Sequence, residues 1–362
     1  MHVVQVVGAR PQFIKLAPVS AALAAAGHVE AILHTGQHFD DAMSRVFFDE
    51  LGIPAPAANL DVHSLPHGAM TGRMLEALER ELVARRPDAV IVYGDTDSTL
   101  AGALAAVKLG LPCAHVEAGL RSFNRAMPEE LNRVAADALC DLLLTPTDEG
   151  LANLQREGLG ARSRKVGDVM FDAFRLFSAR GEAKGVVERL GLARGGYVVC
   201  TLHRAATTDE PGVLAAVLAA LDRVARGGLP VVLPLHPRTR GALERQGLST
   251  GAVRVVPPVS YLEMVGLLRG ARGVATDSGG LQKEAYFAGR PCVTLRAETE
   301  WTETVACGAN VLVGTDAQAI VTALAGLDAQ ARTARFGLPF YGDGRAAPAI
   351  VAALEALRAT AR

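Results

Sequence analysis

Short continuous runs of apolar residues alternate along the chain with longer stretches in which apolar and polar residues are mixed. Runs that are apolar throughout, rather than at every second position, are typical of strands buried on both faces of a parallel sheet. The pattern predicts strands at 2–7, 29–34, 88–93, 112–116, 141–145, 196–201, 230–235, 253–256, 272–276, 291–295 and 310–313. The Ala- and Leu-rich stretches between them predict helices, among them 16–26, 68–86, 97–109, 211–226, 260–269 and 316–327.

The regular order of strand and helix predicts an α/β fold made of doubly wound parallel sheets. Because the predicted strands fall into two groups, we expect two Rossmann-like domains, at 1–166 and 167–344, facing a cleft lined by the carboxyl ends of both sheets. The region 160–195 is charged, helical and without a predicted strand, which suits a hinge. Residues 345–362 form a predicted C-terminal helix that can pack on either domain.

Composition and charge exclude several classes of partner. The chain of 362 residues is 50% hydrophobic and has a formal net charge of −1, so it lacks the basic surface that nucleic acid or an anionic membrane requires. Its apolar runs are too short to cross a bilayer, and its first residues do not follow the pattern of a signal peptide. We therefore expect a soluble cytoplasmic protein that binds neither nucleic acid nor membrane.

Several familiar site motifs are also missing from the sequence. The five cysteines are far apart and form no CxxC pair, which argues against a disulfide framework and a zinc site. The chain has no GxGxxG fingerprint, no P-loop and no GxSxG elbow, which disfavours NAD binding, ATP hydrolysis and a serine nucleophile.

Charged residues follow the predicted strands of the first half. Arg10 and Lys15 flank the start of the first helix, where a helix N-terminus favours anions, although a surface role is the plainer interpretation. Asp95 and Glu117 end two later strands, and Glu129 begins the helix that follows. Three carboxylates at one sheet edge suit general acid–base chemistry, whereas helix capping by Asp97 or Ser98 and a simple first-turn role for Glu129 are the structural alternatives.

The second half places basic and small residues at its strand ends. His203 with Arg204, and His236 with Arg238, follow successive strands and indicate anion recognition. The turn Ser278-Gly279-Gly280 then opens a helix whose backbone N–H groups a phosphate can approach. Glu284 lies about one and a half turns into that helix, where it can reach ribose hydroxyls.

Taken in order, these motifs resemble those of the non-hydrolysing UDP-N-acetylglucosamine 2-epimerases. The resemblance runs from residue 1 to about residue 345 through GARPQFIKLAPV, HTGQHFD, VYGDTDST, HVEAGLRS, PEELNR, TLHR, LHPRT, PPVSYLEM, TDSGGLQKEA and ETVACGANVLVG. It implies a glycosyltransferase-B-like architecture, with UDP on the second domain, the sugar towards the first, and the final helix crossing back to the first. It also implies a homodimer that interconverts UDP-GlcNAc and UDP-ManNAc by eliminating UDP to a 2-acetamidoglucal and adding it back, with no metal or redox cofactor.

The resemblance also assigns roles to individual residues. It implies acid–base or catalytic roles for Asp95, Glu117, Glu129 and His203. It implies contacts with the UDP-sugar for Arg10, Lys15, Arg133, His203, Met264, Ser278, Gly279, Gly280 and Glu284, with the cations and Ser278-Gly279 around the diphosphate, Glu284 on the ribose and Met264 covering the uracil. Which of Asp95 and Glu129 acts with Glu117 stays open.

The sequence departs from the family pattern at a few positions. Gln12 stands where Glu is usual, and Met264 replaces an aromatic residue. Ala206 and Thr207 stand where the family usually has an acidic residue, often as Glu-Asn. Gln37, Arg73 and His236 are compatible with the family's activator pocket, but Asp40 departs from it.

These departures keep other functions open. The segment 295–304 (LRAETEWTET) also resembles relatives that act on UDP-2,3-diacetamido-glucuronic acid. The alternatives are a 2-epimerase of such a related UDP-sugar, a hydrolysing 2-epimerase that releases ManNAc and UDP, a sugar transferase and a catalytically silent nucleotide-sugar-binding homologue.

Overall fold

The structure is a computed structural model that describes residues 1–37, 47–210 and 212–360, without the side chains of 359 and 360. Its strands are β1 (His2–Val7), β2 (Val29–His34), β3 (Ala58–Asn59), β4 (Ala89–Tyr93), β5 (Cys113–Val116), β6 (Leu142–Thr145), β7 (Ser163–Lys165), β8 (Val198–Thr201), β9 (Val231–Pro234), β10 (Arg254–Val256), β11 (Gly273–Thr276), β12 (Cys292–Thr294) and β13 (Asn310–Leu312).

Helices separate most of these strands. They are α1 (Arg10–Ala25), α2 (His67–Arg85), α3 (Asp97–Lys108), α4 (Pro128–Leu139), α5 (Asp148–Arg156), α6 (Val169–Ala183), α7 (Val186–Arg189), α8 (Ala205–Thr208), α9 (Val213–Arg226), α10 (Pro237–Gln246), α11 (Tyr261–Gly270), α12 (Gly279–Phe287), α13 (Thr302–Ala306), α14 (Ala317–Ala325), α15 (Leu327–Thr333) and α16 (Ala346–Thr360). Residues 47–51 are also helical, and two short 3₁₀ turns lie at Gly160–Arg162 and Pro339–Tyr341.

The strands form two parallel sheets, which confirms the predicted α/β fold with two doubly wound, Rossmann-like halves. The first sheet has the order β3-β2-β1-β4-β5-β6-β7, and the second has the order β10-β9-β8-β11-β12-β13. In each sheet the strand order reverses once, between β1 and β4 and between β8 and β11. Ligands of open α/β sheets bind at the carboxyl ends of the strands that flank such a reversal.

Two compact units divide the chain: unit 1 comprises residues 1–176 with 339–362, and unit 2 comprises residues 177–338. These bounds differ from the predicted 1–166, 167–344 and 345–362. The first turns of α6 belong to unit 1, because Asp172 accepts hydrogen bonds from the backbone of Ala346 and Ala347 at 3.1 and 2.7 Å. The backbone of Asp168 likewise donates to Tyr341 at 2.9 Å.

The prediction that 160–195 contains no strand is wrong. β7 lies in this region and pairs with β6 at the edge of the first sheet. Its sequence is Ser-Arg-Lys, and two of the three residues are exposed. The strand therefore lacks the apolar run that predicts most of the other strands. β3 was missed for a similar reason, since it contributes only two residues to the opposite edge.

Each unit has its own core between sheet and helices. In unit 1, α16 packs on α1 and buries Ile350, Val351 and Leu354. On α16, Arg358 forms an ion pair with Asp88 at 2.8 Å, and Glu355 lies 2.9 Å from the His28 ring. In unit 2 the side chains of β8, β9 and β12 pack against α9 and α14.

Candidate functional site

The loop after β1 in unit 1 is tied to the loop after β4 by Gln12. Its side-chain carbonyl accepts hydrogen bonds from the backbone of Gly8 and Ala9 at 2.7 and 3.0 Å, and its amide donates to the Tyr93 carbonyl at 2.7 Å. An amide can accept and donate at once, whereas an ionised carboxylate only accepts. This double role is a structural reason for Gln at a position where the family that the sequence resembles usually has Glu.

Lys15 and Glu117 form an ion pair at the carboxyl edge of the first sheet. The two charged groups are 2.6 Å apart, and their side chains are 8% and 14% exposed. Glu117 has a φ of +73°, a left-handed conformation that costs energy for most residues other than glycine and is often found at functional sites. The ammonium group also lies 3.4 Å from the point where Gly94 would carry a Cβ, so it reaches the residue before Asp95.

Asp95 pairs with Arg133, which lies on α4. Their closest atoms are 2.7 Å apart, and the same guanidinium contacts Glu130 at 2.8 Å. Burial lowers the pKa of Arg133, but the charges and hydrogen bonds of Asp95 and Glu130 outweigh burial and raise it above its usual value. Asn132 adds a hydrogen bond to the backbone carbonyl of Asp95 at 3.0 Å.

The two neighbouring glutamates at the start of α4 differ in their surroundings. Glu130 is buried and accepts hydrogen bonds from the backbone of Ser122 and Phe123, which fixes the loop before the helix. Glu129 is exposed and makes no ion pair with any residue that the structure describes. The structure therefore brings Lys15, Glu117, Asp95 and Arg133 to one sheet edge. Glu129 forms no ion pair with any of them, and Arg10 is half-buried at the start of α1.

A helix cap at the β4 loop differs from the sequence prediction. The side chain of Thr96, and not of Asp97 or Ser98, caps α3 by accepting from the backbone of Thr99. Asp97 instead accepts from Asn132 at 3.3 Å and lies 3.1 Å from His67.

In unit 2, buried Asp277 organises the loop that follows β8. Its carboxylate accepts hydrogen bonds from the backbone N–H groups of His203 and Arg204, both at 2.9 Å, and lies 3.4 Å from the His203 ring. Burial lowers the pKa of His203; Asp277 opposes this change, and Arg204 and Arg238 add to it. Asp277 is not among the candidate residues predicted from the sequence, although its place directly after β11, beside the reversal of strand order, is a usable signal.

The first turn of α12 lies next to this loop. Ser278 caps the helix, and a Cβ at Gly279 would lie 3.5 to 3.7 Å from side-chain atoms of Glu300, Trp301 and Arg204. Among the described residues, a Cβ at Gly280 would meet the Ser278 hydroxyl alone, at 4.0 Å. These small residues leave the backbone N–H groups of the helix N-terminus accessible, which is the arrangement that favours phosphate binding.

The segment 295–304 packs against α12. The Thr299 hydroxyl donates to Gln282 at 2.6 Å, and the Lys283 ammonium lies 4.1 Å from the centre of the Trp301 ring. Glu300 pairs with Arg296 at 3.2 Å and with Arg204 at 3.8 Å. The segment 295–304 is therefore attached directly to the candidate phosphate-binding helix.

Three further predicted residues have clear places. Glu284 is buried on α12, and Met264 is half-buried on α11, where it packs against the cluster that includes Val256 and Leu267. His236 caps α10 by accepting from the backbone of Arg238 at 3.1 Å, and its ring lies 5.4 Å from that of His203. The two His-Arg motifs of the sequence thus meet through their imidazole rings.

The candidate activator residues are only partly described. Gln37 accepts a hydrogen bond from the Ser98 hydroxyl at 2.6 Å, and exposed Arg73 pairs with Glu76 at 3.5 Å. Asp40 lies outside the described residues.

The described residues offer neither a metal-binding cluster nor a helix that could span a membrane. Across residues 1–37, 47–210 and 212–360, no group of three or more His, Cys, Asp or Glu side chains is arranged to hold a metal ion. All five cysteines are buried and free. No helix within the described ranges has the length and apolar character needed to cross a bilayer.

Comparison with known proteins gives consistent matches along the whole chain. A family model described as UDP-N-acetylglucosamine 2-epimerase matches residues 21–355. A UDP-2,3-diacetamido-2,3-dideoxy-D-glucuronate 2-epimerase from Pseudomonas aeruginosa is 49% identical over 362 residues, covering 99% of this chain and 100% of the relative. A UDP-N-acetylglucosamine 2-epimerase from Methanocaldococcus jannaschii is 38% identical and covers 88% of this chain and 90% of its own length.

Solved structures agree with these matches. The crystal structure of a UDP-GlcNAc 2-epimerase from Methanocaldococcus jannaschii in complex with UDP-GlcNAc and UDP has a TM-score of 0.89, with 37% identity, and covers 98% of this chain and 100% of that one. A calicheamicin glycosyltransferase, 16% identical with a TM-score of 0.58 and covering 98% of both chains, shares the fold alone, which agrees with the expected glycosyltransferase-B-like class. With a family model over residues 21–355 and full-length relatives well above 30% identity, the chain belongs to the UDP-N-acetylglucosamine 2-epimerase family.

Proposed function

We propose that this protein epimerises C2 of a UDP-linked 2-acetamido sugar and that its substrate is UDP-2,3-diacetamido-2,3-dideoxy-D-glucuronate. The observation that carries the choice of sugar is the 49% identity, over essentially both full lengths, to the Pseudomonas aeruginosa enzyme of that name. The segment 295–304 agrees with this choice, because it resembles relatives of the same specificity and packs against the candidate phosphate-binding helix.

The second candidate substrate is UDP-GlcNAc, interconverted with UDP-ManNAc. It is supported by the family description and by the 37% identical structure that was solved with UDP-GlcNAc and UDP. Both candidates require the same bond changes at C1 and C2, so they differ in sugar recognition and not in reaction type.

The reaction needs a base for a weakly acidic proton and a stabilised leaving group. One carboxylate takes the C2 proton as the C1–O bond to UDP breaks, which leaves a C1–C2 double bond. UDP then adds back to C1 while a second group delivers a proton to the other face of C2, and no net oxidation occurs. Removal from one face and return to the other requires two acid–base groups.

Glu117 and Asp95 are our choice for that pair. Lys15 holds Glu117 and Arg133 holds Asp95, and Lys15 also reaches the Gly94 position beside Asp95. Glu129 stays a second candidate for the partner of Glu117. The cations beside these carboxylates can also stabilise the negative charge that develops on a leaving diphosphate. Such electrostatic stabilisation is usually the largest contribution to catalysis.

Unit 2 is proposed to hold the nucleotide. The backbone of Ser278, Gly279 and Gly280 would donate to the diphosphate at the N-terminus of α12. Arg10 and His203 are proposed to contact the same group, Glu284 the ribose, and half-buried Met264 the uracil.

Incubation with each UDP-sugar separately, in heavy water and followed by NMR, tests the proposal. We expect the C2 epimer of UDP-2,3-diacetamido-2,3-dideoxy-D-glucuronate, with deuterium at C2, and a kcat/KM about 10²-fold or more above that for UDP-GlcNAc. A preference for UDP-GlcNAc would reverse the choice of sugar. Free sugar with UDP would indicate the hydrolysing reaction, and no product from either sugar would indicate a transferase or a silent homologue.

A further inference from the structure

A buried polar chain runs behind the carboxyl edge of the first sheet and includes no residue of the proposed acid–base set. Its centre is His115, which lies in β5 and is fully buried. The Nε2 atom is 2.7 Å from the backbone carbonyl of Gly94, and the Nδ1 atom is 2.7 Å from a carboxylate oxygen of Asp137. The imidazole therefore bridges the loop after β4 and helix α4.

The hydrogen-bond partners fix the protonation of His115. A peptide carbonyl and an ionised carboxylate can accept hydrogen bonds but cannot donate them. Both ring nitrogens of His115 must therefore carry a proton. Burial alone would lower the pKa of His115, but the charge of Asp137 and the hydrogen bonds to Asp137 and Gly94 outweigh it and raise the pKa. Burial likewise raises the pKa of Asp137, but His115 and Arg121 outweigh it and lower the pKa. The pair is thus a buried imidazolium and carboxylate.

Asp137 extends this series of hydrogen bonds to the loop after β5. Its other oxygen accepts a hydrogen bond from the backbone of Gly119 at 3.0 Å and contacts Arg121 at 2.7 Å. The Arg121 side chain is 1% exposed and reaches Glu157 at 2.6 Å on its far side. The cluster contains two cations and two carboxylates, so its charges balance.

The two ends of this hydrogen-bonded series, Gly94 and Gly119, lie beside the proposed acid–base groups. Gly94 immediately precedes Asp95, and Gly119 follows Glu117 by two residues. The β5 loop has little other freedom, because Glu117 is left-handed and a Cβ on Gly119 would lie 2.3 Å from the Gly150 carbonyl. A shift of the His115–Asp137 pair would therefore move one carboxylate relative to the other.

Stability alone does not explain such a cluster. Moving charges out of water is costly, and well-packed apolar residues often stabilise a core equally well or better. A small displacement of reacting groups, in contrast, can cost about 10²-fold in rate. The cluster is best explained by what it does to the two loops.

We propose that His115 and Asp137 are positioning residues that set the separation of the Asp95 and Glu117 carboxylates for epimerisation at C2. This inference rests on the proposed function. The pair does not touch the sugar in this role; it acts through the backbone of Gly94 and Gly119.

The test uses His115→Asn and Asp137→Asn in the full chain, with the better of the two UDP-sugars as substrate. Each variant keeps a polar side chain but cannot bridge the two loops as the charged pair does. We expect kcat to fall by about 10²-fold. KM for the UDP-sugar and Kd for UDP should stay within about threefold, because unit 2 is proposed to hold the nucleotide.

Cys140→Ala is the matched control. Cys140 is buried three residues after Asp137 and lies 3.4 Å from the Cys113 sulfur, so the control disturbs the same region without touching Gly94 or Gly119. Thermal unfolding and circular dichroism measure the folded fraction of each variant, and kcat is compared per folded molecule. If His115→Asn does not fold, Asp137→Glu, which keeps the charge but moves it, provides the same comparison.

The outcomes separate this inference from the function on which it rests. A wild-type protein that converts neither UDP-sugar overturns the proposed function and this inference with it. An active wild type whose His115 and Asp137 variants lose no more kcat than Cys140→Ala, or lose UDP affinity in proportion to kcat, overturns the inference alone.

Discussion

The two units have the same sheet topology around their reversal points but place different groups there. In unit 1, side-chain carboxylates face cations directly, as Lys15 does with Glu117 and Arg133 with Asp95. In unit 2 the buried carboxylate of Asp277 binds backbone N–H groups, and the adjoining helix begins with two glycines. Charged side chains suit proton transfer, whereas accessible N–H groups suit the binding of an anion.

Under the proposed function, one scaffold supports two tasks through the residues that end its strands. Substitutions at the edge of unit 1 should then change turnover more than affinity, and substitutions in unit 2 should do the reverse.

The largest expected effect follows the change Glu117→Gln in unit 1. Turnover of the UDP-sugar should fall by about 10²- to 10⁴-fold, the usual contribution of a general acid or base, because the neutral amide cannot exchange the C2 proton. UDP affinity, measured by calorimetry, should stay within a few-fold.

Glu149→Gln is the control for this change, since it makes the same substitution at an exposed ion pair on α5. Near-normal turnover of Glu117→Gln would contradict the assignment. So would wild-type product that forms in heavy water without deuterium at C2.

A smaller effect, on affinity, is expected for Glu284→Ala in unit 2. Loss of hydrogen bonds to a charged group should weaken UDP binding by roughly 1.5–3 kcal/mol. Glu244→Ala, at an exposed position on α10, should leave the calorimetric Kd unchanged. An unaltered Kd for Glu284→Ala would show that the ribose is held elsewhere.

The smallest expected effect is the pH dependence contributed by His203. Because its folded-state pKa is lowered, mainly by burial, the unfolded chain takes up the proton first as the pH falls through about 6.5. The stability that the neutral ring contributes is therefore present above that pH and lost below it.

Urea unfolding at pH 7.5 and pH 5 measures this contribution. The wild type should lose more free energy of unfolding between these values than His203→Gln does, by about a few tenths of a kcal/mol, since the ring is partly exposed. An equal loss in both proteins would mean that His203 titrates as it does in the unfolded chain.

Most of the fold could be predicted because the inner strands of a parallel sheet must be apolar on both faces. The edge strands β3 and β7 are short and partly exposed, so the same signal is absent from them. The boundaries of the units depend on hydrogen bonds between residues far apart in sequence, such as Asp172 with Ala347, which no local pattern contains.

Part of the candidate site could also be predicted from the sequence. Residues that end strands in a doubly wound sheet lie at its carboxyl edge, so Asp95, Glu117, His203 and Ser278 could be selected from the sequence. The pairings at the site could not be predicted, because Lys15 with Glu117 and His115 with Asp137 meet only when separate strands and helices pack together.

The arrangement of unit 1 has a consequence for the order in which the protein matures. Residues 339–362 complete unit 1, and α16 covers α1, yet residues 177–338 of unit 2 are synthesised between them. Residues 1–176 therefore leave the ribosome before the helix that covers α1 has been synthesised. Unit 2 is complete at an earlier point and can already fold. Domains generally fold as units during synthesis. Here the second unit can finish before the first, and the apolar face of α1 is the surface that chaperones would have to protect in the interval.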